Sequence, residues 1–164
     1  MKLITITGPS GAGKDTVARL LSDMTGIPLL VSYTTRPMRE GEQNGREHWF
    51  VTECTTPSLQ MLAYTVYGGY EYWTDINQVH GKAIYVIDER GLRDLQSRFP
   101  AVEIQSIFVT ASKTIRKTRG VSEERIKRDE ERVLIPLDEY SYEVDNEGTE
   151  QYLLAQLRQI AKRL

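Results

Sequence analysis

Several residue types are scarce in this 164-residue chain, and each scarcity excludes a class of protein. The single cysteine, Cys54, rules out an internal disulfide framework and is typical of a reducing compartment. Neither charge dominates, because 21 lysines and arginines face 23 aspartates and glutamates, so a surface devoted to nucleic acid or lipid is not expected. No apolar run approaches the ~20 residues of a membrane span, and the first residues hold too short an apolar stretch for a signal peptide. We therefore expect a soluble, cytoplasmic protein without nucleic-acid or membrane partners.

Length and composition favour one globular domain. A domain usually takes about 150 residues, and the 40% of hydrophobic residues can form one sizeable core. The sequence contains no internal repeat, linker or low-complexity tract. We therefore predict a single domain over residues 1–164.

Short apolar runs alternate with segments of helical periodicity over most of the chain. Buried strands are predicted at residues 3–7, 29–32, 83–87 and 104–109. Helices are predicted at residues 16–25, at 91–98, from Ser122 to before Pro136, and from Thr149 to Leu164, with Ser122 and Thr149 as N-caps. This alternation predicts an α/β fold with a largely parallel sheet and helices on both faces.

The middle of the chain does not follow that alternation. Residues 48–51 have the pattern of a strand, and residues 64–72, with Gly68 and Gly69 between two aromatic runs, have the pattern of a hairpin. We predict that residues of about 33–79 form a small β-rich insertion over the sheet. The core is then built from residues of about 1–32 and 80–164.

The strongest motif is G-P-S-G-A-G-K-D-T at residues 8–16, which fits the phosphate-binding pattern G-x-x-x-x-G-K between a strand and a helix. Its glycines let backbone N–H groups converge on phosphate oxygens, and the helix N-terminus adds partial positive charge. Lys14 reaches the β- and γ-phosphates of a nucleoside triphosphate. The triphosphate-binding residues predicted here are Ser10, Gly11, Ala12, Gly13, Lys14, Asp15 and Thr16. The alternative, an ordinary glycine turn, is disfavoured by the strand–loop–helix context.

The residue after Lys14 departs from the usual pattern. A serine or threonine hydroxyl normally holds Mg²⁺ at this position, but the chain has Asp15. A carboxylate can engage Mg²⁺ directly or through water. For Thr16, the open alternative is a contact with the α-phosphate only.

A second motif lies on the polar stretch S-Y-T-T-R-P-M-R-E-G-E-Q-N-G at residues 32–45. Arg36 and Arg39 stand three residues apart on a loop shaped by proline and glycine, and two guanidinium groups at this spacing suit a second phosphate. A solvated basic loop is the alternative.

The two motifs together resemble those of guanylate kinase, the family that converts GMP and ATP to GDP and ADP. The resemblance continues through G-Y-E-Y-W-T at residues 69–74, I-D-E-R-G at 87–91 and a C-terminal Y-S-Y-E-V-D-N stretch, and is firmest over residues 4–50. It implies a P-loop NTP-hydrolase-like sheet, an acceptor-binding insertion and a short lid near residues 112–132. It also implies ATP as phosphoryl donor with Mg²⁺, and a monomer or homodimer.

The resemblance also implies roles for individual residues. The clamp on the monophosphate falls on Ser32, Arg36, Arg39 and Tyr72, with His48 where a tyrosine is usual. Thr74 takes the position of a serine near the base. Asp88 matches an acidic residue near Mg²⁺ or the acceptor, so Asp15 and Asp88 are the two metal candidates.

Further roles fall on the lid and the C-terminal stretch. Arg116 and Arg119 precede Gly120 as the lid arginines do, and Arg125 and Arg128 are both candidates to point at the transferred phosphoryl group. The catalytic set is then Lys14, Arg119 and Arg128, whereas Asn146 lies against adenine. For each lid arginine, a solvated helix face is the alternative.

Two departures bear on the acceptor. Ala63 and Val86 stand where the family has carboxylates that read guanine. The kinase chemistry is therefore better supported than the preference for GMP or dGMP, and another (deoxy)nucleotide or a sugar phosphate of the ribose 1,5-bisphosphate type stays open. A non-catalytic guanylate-kinase-like binding module is a third reading, disfavoured by the intact Lys14.

Overall fold

The computed structural model describes residues 1–131 and 134–164. Its strands are β1 Lys2–Thr7, β2 Tyr33–Thr34, β3 Trp49–Phe50, β4 Met61–Tyr67, β5 Tyr70–Asp75, β6 Lys82–Val86, β7 Glu103–Thr110 and β8 Tyr142–Asp145. Its α-helices are α1 Lys14–Thr25, α2 Glu89–Arg98, α3 Lys113–Thr118, α4 Glu123–Glu130 and α5 Glu150–Ala161. None of the helices in these described ranges is long and apolar enough to cross a membrane. The predicted lid, residues 112–132, contains α3 and α4, and its last residue lies outside the described residues.

A parallel four-stranded sheet in the order β6-β1-β7-β8 forms the centre of the fold. Strand β1 is apolar towards both faces: Ile4 and Ile6 join a cluster with α1 and α5, whereas Leu3 joins a cluster with α2. A strand buried on both faces needs such a continuous apolar run. The predicted α/β fold, with a parallel sheet between helices, is confirmed.

The turn after β1 brings the glycine loop close to the neighbouring strand β7. Gly8 has φ 142°, and a Cβ atom placed on it would lie 2.3 Å from the Val109 carbonyl oxygen. Any side chain at this position would displace the backbone of the loop or the strand. Gly8 therefore fixes where the loop begins, at the carboxyl end of the central strand.

A second, mixed sheet in the order β3-β2-β5-β4 uses only residues between 33 and 75. Its predicted hairpin is present, with Gly68 at φ 60° and Gly69 at φ 82° joining β4 to β5. Two consecutive positive φ values make the two-residue turn whose twist suits an antiparallel pair. Leu62 of β4 is fully buried in the cluster with α2, which joins this sheet to the core.

Three sequence expectations differ from the structure. The strand predicted at residues 29–32 is wrong, because only Leu29 bridges to Ile84 before the chain turns away from the sheet. Strand β8 was not anticipated, since it carries a single fully buried residue, Val144, and forms an edge of the sheet. The helix that begins after Ser122 ends at Glu130, earlier than expected.

Candidate active site

The glycine loop is closed by bonds between its own lysine and its first residues. The Lys14 Nζ atom donates to the carbonyl oxygens of Gly8 at 2.9 Å and Pro9 at 3.1 Å. The first N–H groups of α1 have no acceptor within the helix, which suits them to an anion. The charge of Lys14 thus lies over the loop beside those donors.

Two residues from outside the loop bind its outer side. Asn146 donates from Nδ2 to the Ala12 carbonyl at 2.7 Å, and Arg119 donates to the Gly11 carbonyl at 3.0 Å and to the Asn146 carbonyl at 2.6 Å. A Cβ atom on Gly13 would lie 2.3 Å from the Asn146 amide nitrogen. The structure therefore brings the predicted lid arginine and the predicted adenine-side asparagine to the same edge of the loop.

A buried ion pair ties the lid to the loop. Asp129 of α4 accepts from the backbone N–H of Ser10 at 2.8 Å and from its hydroxyl at 3.2 Å. Arg116 of α3 donates to the same carboxylate at 3.0 Å, and the two residues are only 5% and 6% exposed. Arg116 is therefore held inside the protein, and its role here is to support the loop. Sequence reasoning missed Asp129, whose only signal is an acid three residues after the buried Ile126.

The two candidate arginines of α4 lie differently. The Arg128 guanidinium is 3.5 Å from the Ser10 hydroxyl and lines the large cleft described below. Arg125 is exposed and is not among the residues that line this cleft. The structure thus places Arg128, not Arg125, beside the phosphate-binding loop.

The second predicted phosphate site is held in position by Glu42. Arg36 is 7% exposed, and its guanidinium meets both carboxylate oxygens of Glu42, at 2.8 and 3.0 Å. Glu42 also accepts from the backbone N–H of Arg39 at 2.7 Å. These bonds, with the one from Arg36 first, lower the pKa of Glu42 to about 2. The hydrogen bond that Arg36 donates to Glu42 also raises the pKa of Arg36. The clamp is therefore oriented in advance by a residue that the sequence reasoning did not single out, although Glu42 lies in the motif.

Three further predicted acceptor residues, Ser32, His48 and Tyr72, line the same cleft as Arg36 and Glu42. The Ser32 hydroxyl lies 2.8 Å from the His48 Nδ1 atom, and the His48 ring meets the Tyr72 ring edge-on at 5.5 Å. Burial, and then the charge of Arg36, lower the pKa of His48. His48 is therefore favoured in its neutral form beside the clamp.

One cleft of about 1300 Å³ brings the two predicted phosphate sites together. Asp15 and Arg128 line it from the side of the glycine loop, and Arg36 and Arg39 line it from the side of the second sheet. Asp88 also lines the cleft and caps α2, where it accepts from the Gly91 N–H at 2.7 Å. Both carboxylates predicted near Mg²⁺ therefore face one space.

A smaller cavity of about 590 Å³ adjoins this cleft. The two share the lining residues Ser32, Thr65, Tyr72, Tyr85, Val86 and Asp88. Ala63 and Val86, the two apolar replacements, both line the smaller cavity, so it is the part of the site where a base would meet them.

Thr74 is the predicted acceptor residue that lies apart from both spaces. It is fully buried, its hydroxyl bonds that of Tyr85 at 2.9 Å, and it lines neither the cleft nor the smaller cavity. Burial raises the pKa of Tyr85 to about 12, so the pair is a neutral hydrogen bond inside the wall.

The strand, glycine loop and helix at the centre of the sheet, with the cleft beside them, define a P-loop nucleotide-binding protein. A family model described as guanylate kinase matches residues 1–160, and the chain belongs to the guanylate kinase family. The resemblance found in the motifs is therefore confirmed.

Individual relatives agree with this assignment. Guanylate kinase from Nostoc sp. is 34% identical over 94% of this chain and 86% of its own length. Guanylate kinase from Fusobacterium nucleatum is also 34% identical, over 68% of this chain and 65% of its own length, slightly under two thirds of that protein. The crystal structure of guanylate kinase from Anaplasma phagocytophilum has a TM-score of 0.69 at 21% identity, covering 99% of this chain and 85% of that one, so the fold is shared.

Proposed function

We propose that this protein transfers the γ-phosphoryl group of ATP to a nucleoside monophosphate, with GMP or dGMP as the acceptor. The observation that carries the proposal is the single cleft lined by Asp15 and Arg128 on one side and by Arg36 and Arg39 on the other. Phosphoryl transfer requires little covalent work from the protein and depends mainly on alignment and charge neutralisation. A shared cleft provides that alignment for donor and acceptor.

On the donor side, the glycine loop holds the triphosphate. Lys14 contributes positive charge to the β- and γ-phosphates, and Arg128 lies beside Ser10 where the γ-phosphate would face the cleft. Arg119 and Asn146 brace the outer side of the loop and are placed to meet the nucleotide beyond it.

On the acceptor side, Arg36 and Arg39 bind the monophosphate while Glu42 keeps Arg36 in its orientation. An oxygen of the acceptor phosphate then attacks the γ-phosphorus in line, the bond to the β-phosphate oxygen breaks, and ADP leaves. No covalent enzyme intermediate is needed.

The donor set of the cleft fits Mg²⁺. Asp15 and Asp88 are both exposed carboxylates that line it, and Mg²⁺ typically binds one or two carboxylates together with substrate phosphates and water. In the described residues no group of three or more histidine, cysteine or acidic side chains forms a cage for a metal, which agrees with an ion that arrives with ATP. Bound there, Mg²⁺ would neutralise charge on the β- and γ-phosphates.

We also propose a cellular location for the protein. Cys54 is a free thiol, which is compatible with the reducing cytoplasm. We propose that the protein acts there as a monomer or homodimer.

A second candidate is transfer to another acceptor, either a different (deoxy)nucleotide or a sugar phosphate of the ribose 1,5-bisphosphate type. The observation in its favour is that Ala63 and Val86 present no polar side-chain atom to the smaller cavity. The phosphate clamp serves any of these acceptors equally.

A coupled assay of ADP formation separates the candidates. ATP and Mg²⁺ are offered with GMP, dGMP, AMP, IMP, UMP and ribose 1,5-bisphosphate under one condition. The proposal predicts turnover with GMP and dGMP above the ATP-only rate. Turnover with the sugar phosphate alone would support the second candidate, and no turnover with any acceptor would support a non-catalytic binding module.

A further inference from the structure

The smaller cavity contains one charged side chain that the sequence motifs did not explain. Arg90, in the first turn of α2, lines this cavity together with the apolar positions Ala63 and Val86. Among the described residues, its guanidinium group has no hydrogen-bond or ion-pair partner, in contrast to the other two arginines of the helix. Arg93 pairs with Glu139 at 2.6 Å, and Arg98 pairs with Asp94 at 3.2 Å.

The acidic groups around the cavity are already engaged. Asp88 accepts from the Gly91 N–H at 2.7 Å as the cap of α2, and Asp94 is the partner of Arg98. The guanidinium of Arg90 is therefore the strongest unengaged donor that lines this space. It presents parallel N–H groups in a rigid fork, which bind best to two acceptor atoms side by side.

The position of the cavity decides which part of an acceptor meets this fork. Tyr72 and Ser32 line both the cavity and the cleft that contains Arg36 and Arg39. A nucleoside monophosphate with its phosphate on the two clamp arginines would therefore have the adjoining cavity, which Arg90 lines, available for its base. A volume of about 590 Å³ is in the usual range for small-molecule sites.

We propose that Arg90 reads the acceptor base by donating two hydrogen bonds to the O6 and N7 atoms of a 6-oxopurine. This inference rests on the proposed function and assigns base selection to a residue outside positions 63 and 86. Guanine and hypoxanthine both present O6 and N7 as adjacent acceptors, whereas adenine presents an N6 donor beside N7. The 2-amino group of guanine takes no part in this contact. IMP is therefore accepted nearly as well as GMP, and AMP is disfavoured.

The test compares three variants of α2 in the coupled assay. Arg90→Ala should lower kcat/KM for GMP and IMP together by about ten- to a hundredfold, with little change for AMP. Arg90→Lys keeps the charge and loses the fork, so it should recover little of that loss. Arg93→Ala removes an arginine from the same helix and should leave all three acceptors unchanged. Arg90 is exposed, and the thermal midpoint of each variant verifies that the fold is retained.

The outcomes separate this inference from the proposed function. If the wild type phosphorylates GMP but Arg90→Ala does so equally well, or if IMP falls more than about tenfold below GMP, the reading of O6 and N7 is wrong and the kinase assignment stands. Full recovery by Arg90→Lys would show a phosphate contact and would also overturn it. If no purine monophosphate is phosphorylated by the wild type, the proposed function itself fails.

Discussion

The two walls of the cleft are built by different means for the phosphate binding that we propose. The donor wall uses the backbone, because a glycine loop and the first turn of α1 present N–H groups there. Arg119 and Asn146 donate hydrogen bonds to this loop from outside. The acceptor wall uses side chains, because Glu42 orients the guanidinium of Arg36 on a loop before β3. A site built from backbone N–H groups tolerates few substitutions at its glycines. In a site built from side chains, a single substitution can change which ligand is bound. The two apolar replacements, Ala63 and Val86, line the smaller cavity and leave the glycine loop and the Arg36–Glu42 pair in place.

The largest effect is expected when charge is removed from the donor wall. Lys14→Ala should lower kcat by about a thousandfold or more, because the lysine meets the β- and γ-phosphates and contributes little to the core. The measurement is the rate of ADP formation with GMP at saturating ATP. Lys162→Ala, an exposed lysine at the end of α5, is the matched control and should be unaffected. Turnover of the Lys14 variant at the wild-type rate would contradict the kinase assignment.

The next largest effect is expected on stability, from the buried ion pair that joins the lid to the glycine loop. Asp129→Asn leaves Arg116 as a buried charge without its counter-ion and should reduce the free energy of unfolding by about 3–5 kcal/mol. Chemical denaturation monitored by circular dichroism measures this loss. Asp138→Asn, at an exposed position, should change it by less than about 0.5 kcal/mol. Equal stability of the Asp129 variant and the wild type would show that the ion pair does not hold the lid to the loop.

The phosphate loop and the hairpin are predictable because each depends on neighbouring residues. The G-x-x-x-x-G-K motif and the pair Gly68-Gly69 specify backbone conformations within a few positions. The contact between Asp129 and Ser10 is not local, because the two residues are 119 positions apart in the chain. No periodicity in the sequence identifies such a pair.

Side-chain direction is a second feature that the sequence does not predict. Thr74 matches a base-binding position in the family, yet it points into the wall towards Tyr85, while the adjacent Trp73 stacks on Tyr33 at 5.5 Å. Neighbours on a strand point to opposite faces, and Trp73, not Thr74, lines the smaller cavity. Both residues are buried, so their polarity does not tell which of them faces the cavity.

On the acceptor wall, Arg36→Ala and Arg39→Ala should act on one substrate only. Each removes a charge-assisted contact with the monophosphate and should raise the KM for GMP by about ten- to a hundredfold, with the KM for ATP nearly unchanged. Initial rates over a grid of both substrates give the two constants. A rise in the ATP constant with no rise in the GMP constant would mean that the two walls are assigned the wrong way round.

Glu42→Gln should have a smaller effect on the same wall. The amide keeps the size of the side chain but loses the charge that orients Arg36, so the KM for GMP should rise by several-fold, less than in Arg36→Ala. Because the pKa of Glu42 is held at about 2, the wild-type carboxylate stays ionised down to acidic pH, and the orienting bond should persist there. A GMP constant identical in Glu42→Gln and the wild type would show that Arg36 needs no such support.

The smallest effect is expected at His48. Its pKa is lowered in the folded state, so below the ordinary value of 6.5 the unfolded chain binds the extra proton more readily. Stability should therefore fall slightly as the pH drops through 6.5 and should be unaffected by this group above it. His48→Gln should flatten that slope in thermal midpoints measured from about pH 5 to pH 8. An unchanged slope in the variant would assign it to another group.

In the proposed reaction, both walls face one cleft, and this cleft aligns the two substrates. A ligand with adenosine and guanosine joined by five phosphates tests this directly, because it can reach both walls only if they share that space. Isothermal titration should show it binding at least about a hundredfold more tightly than ATP, with most of that gain lost in Arg36→Ala. An affinity no greater than that of ATP, unchanged by Arg36→Ala, would mean that the two phosphate sites do not form one active site.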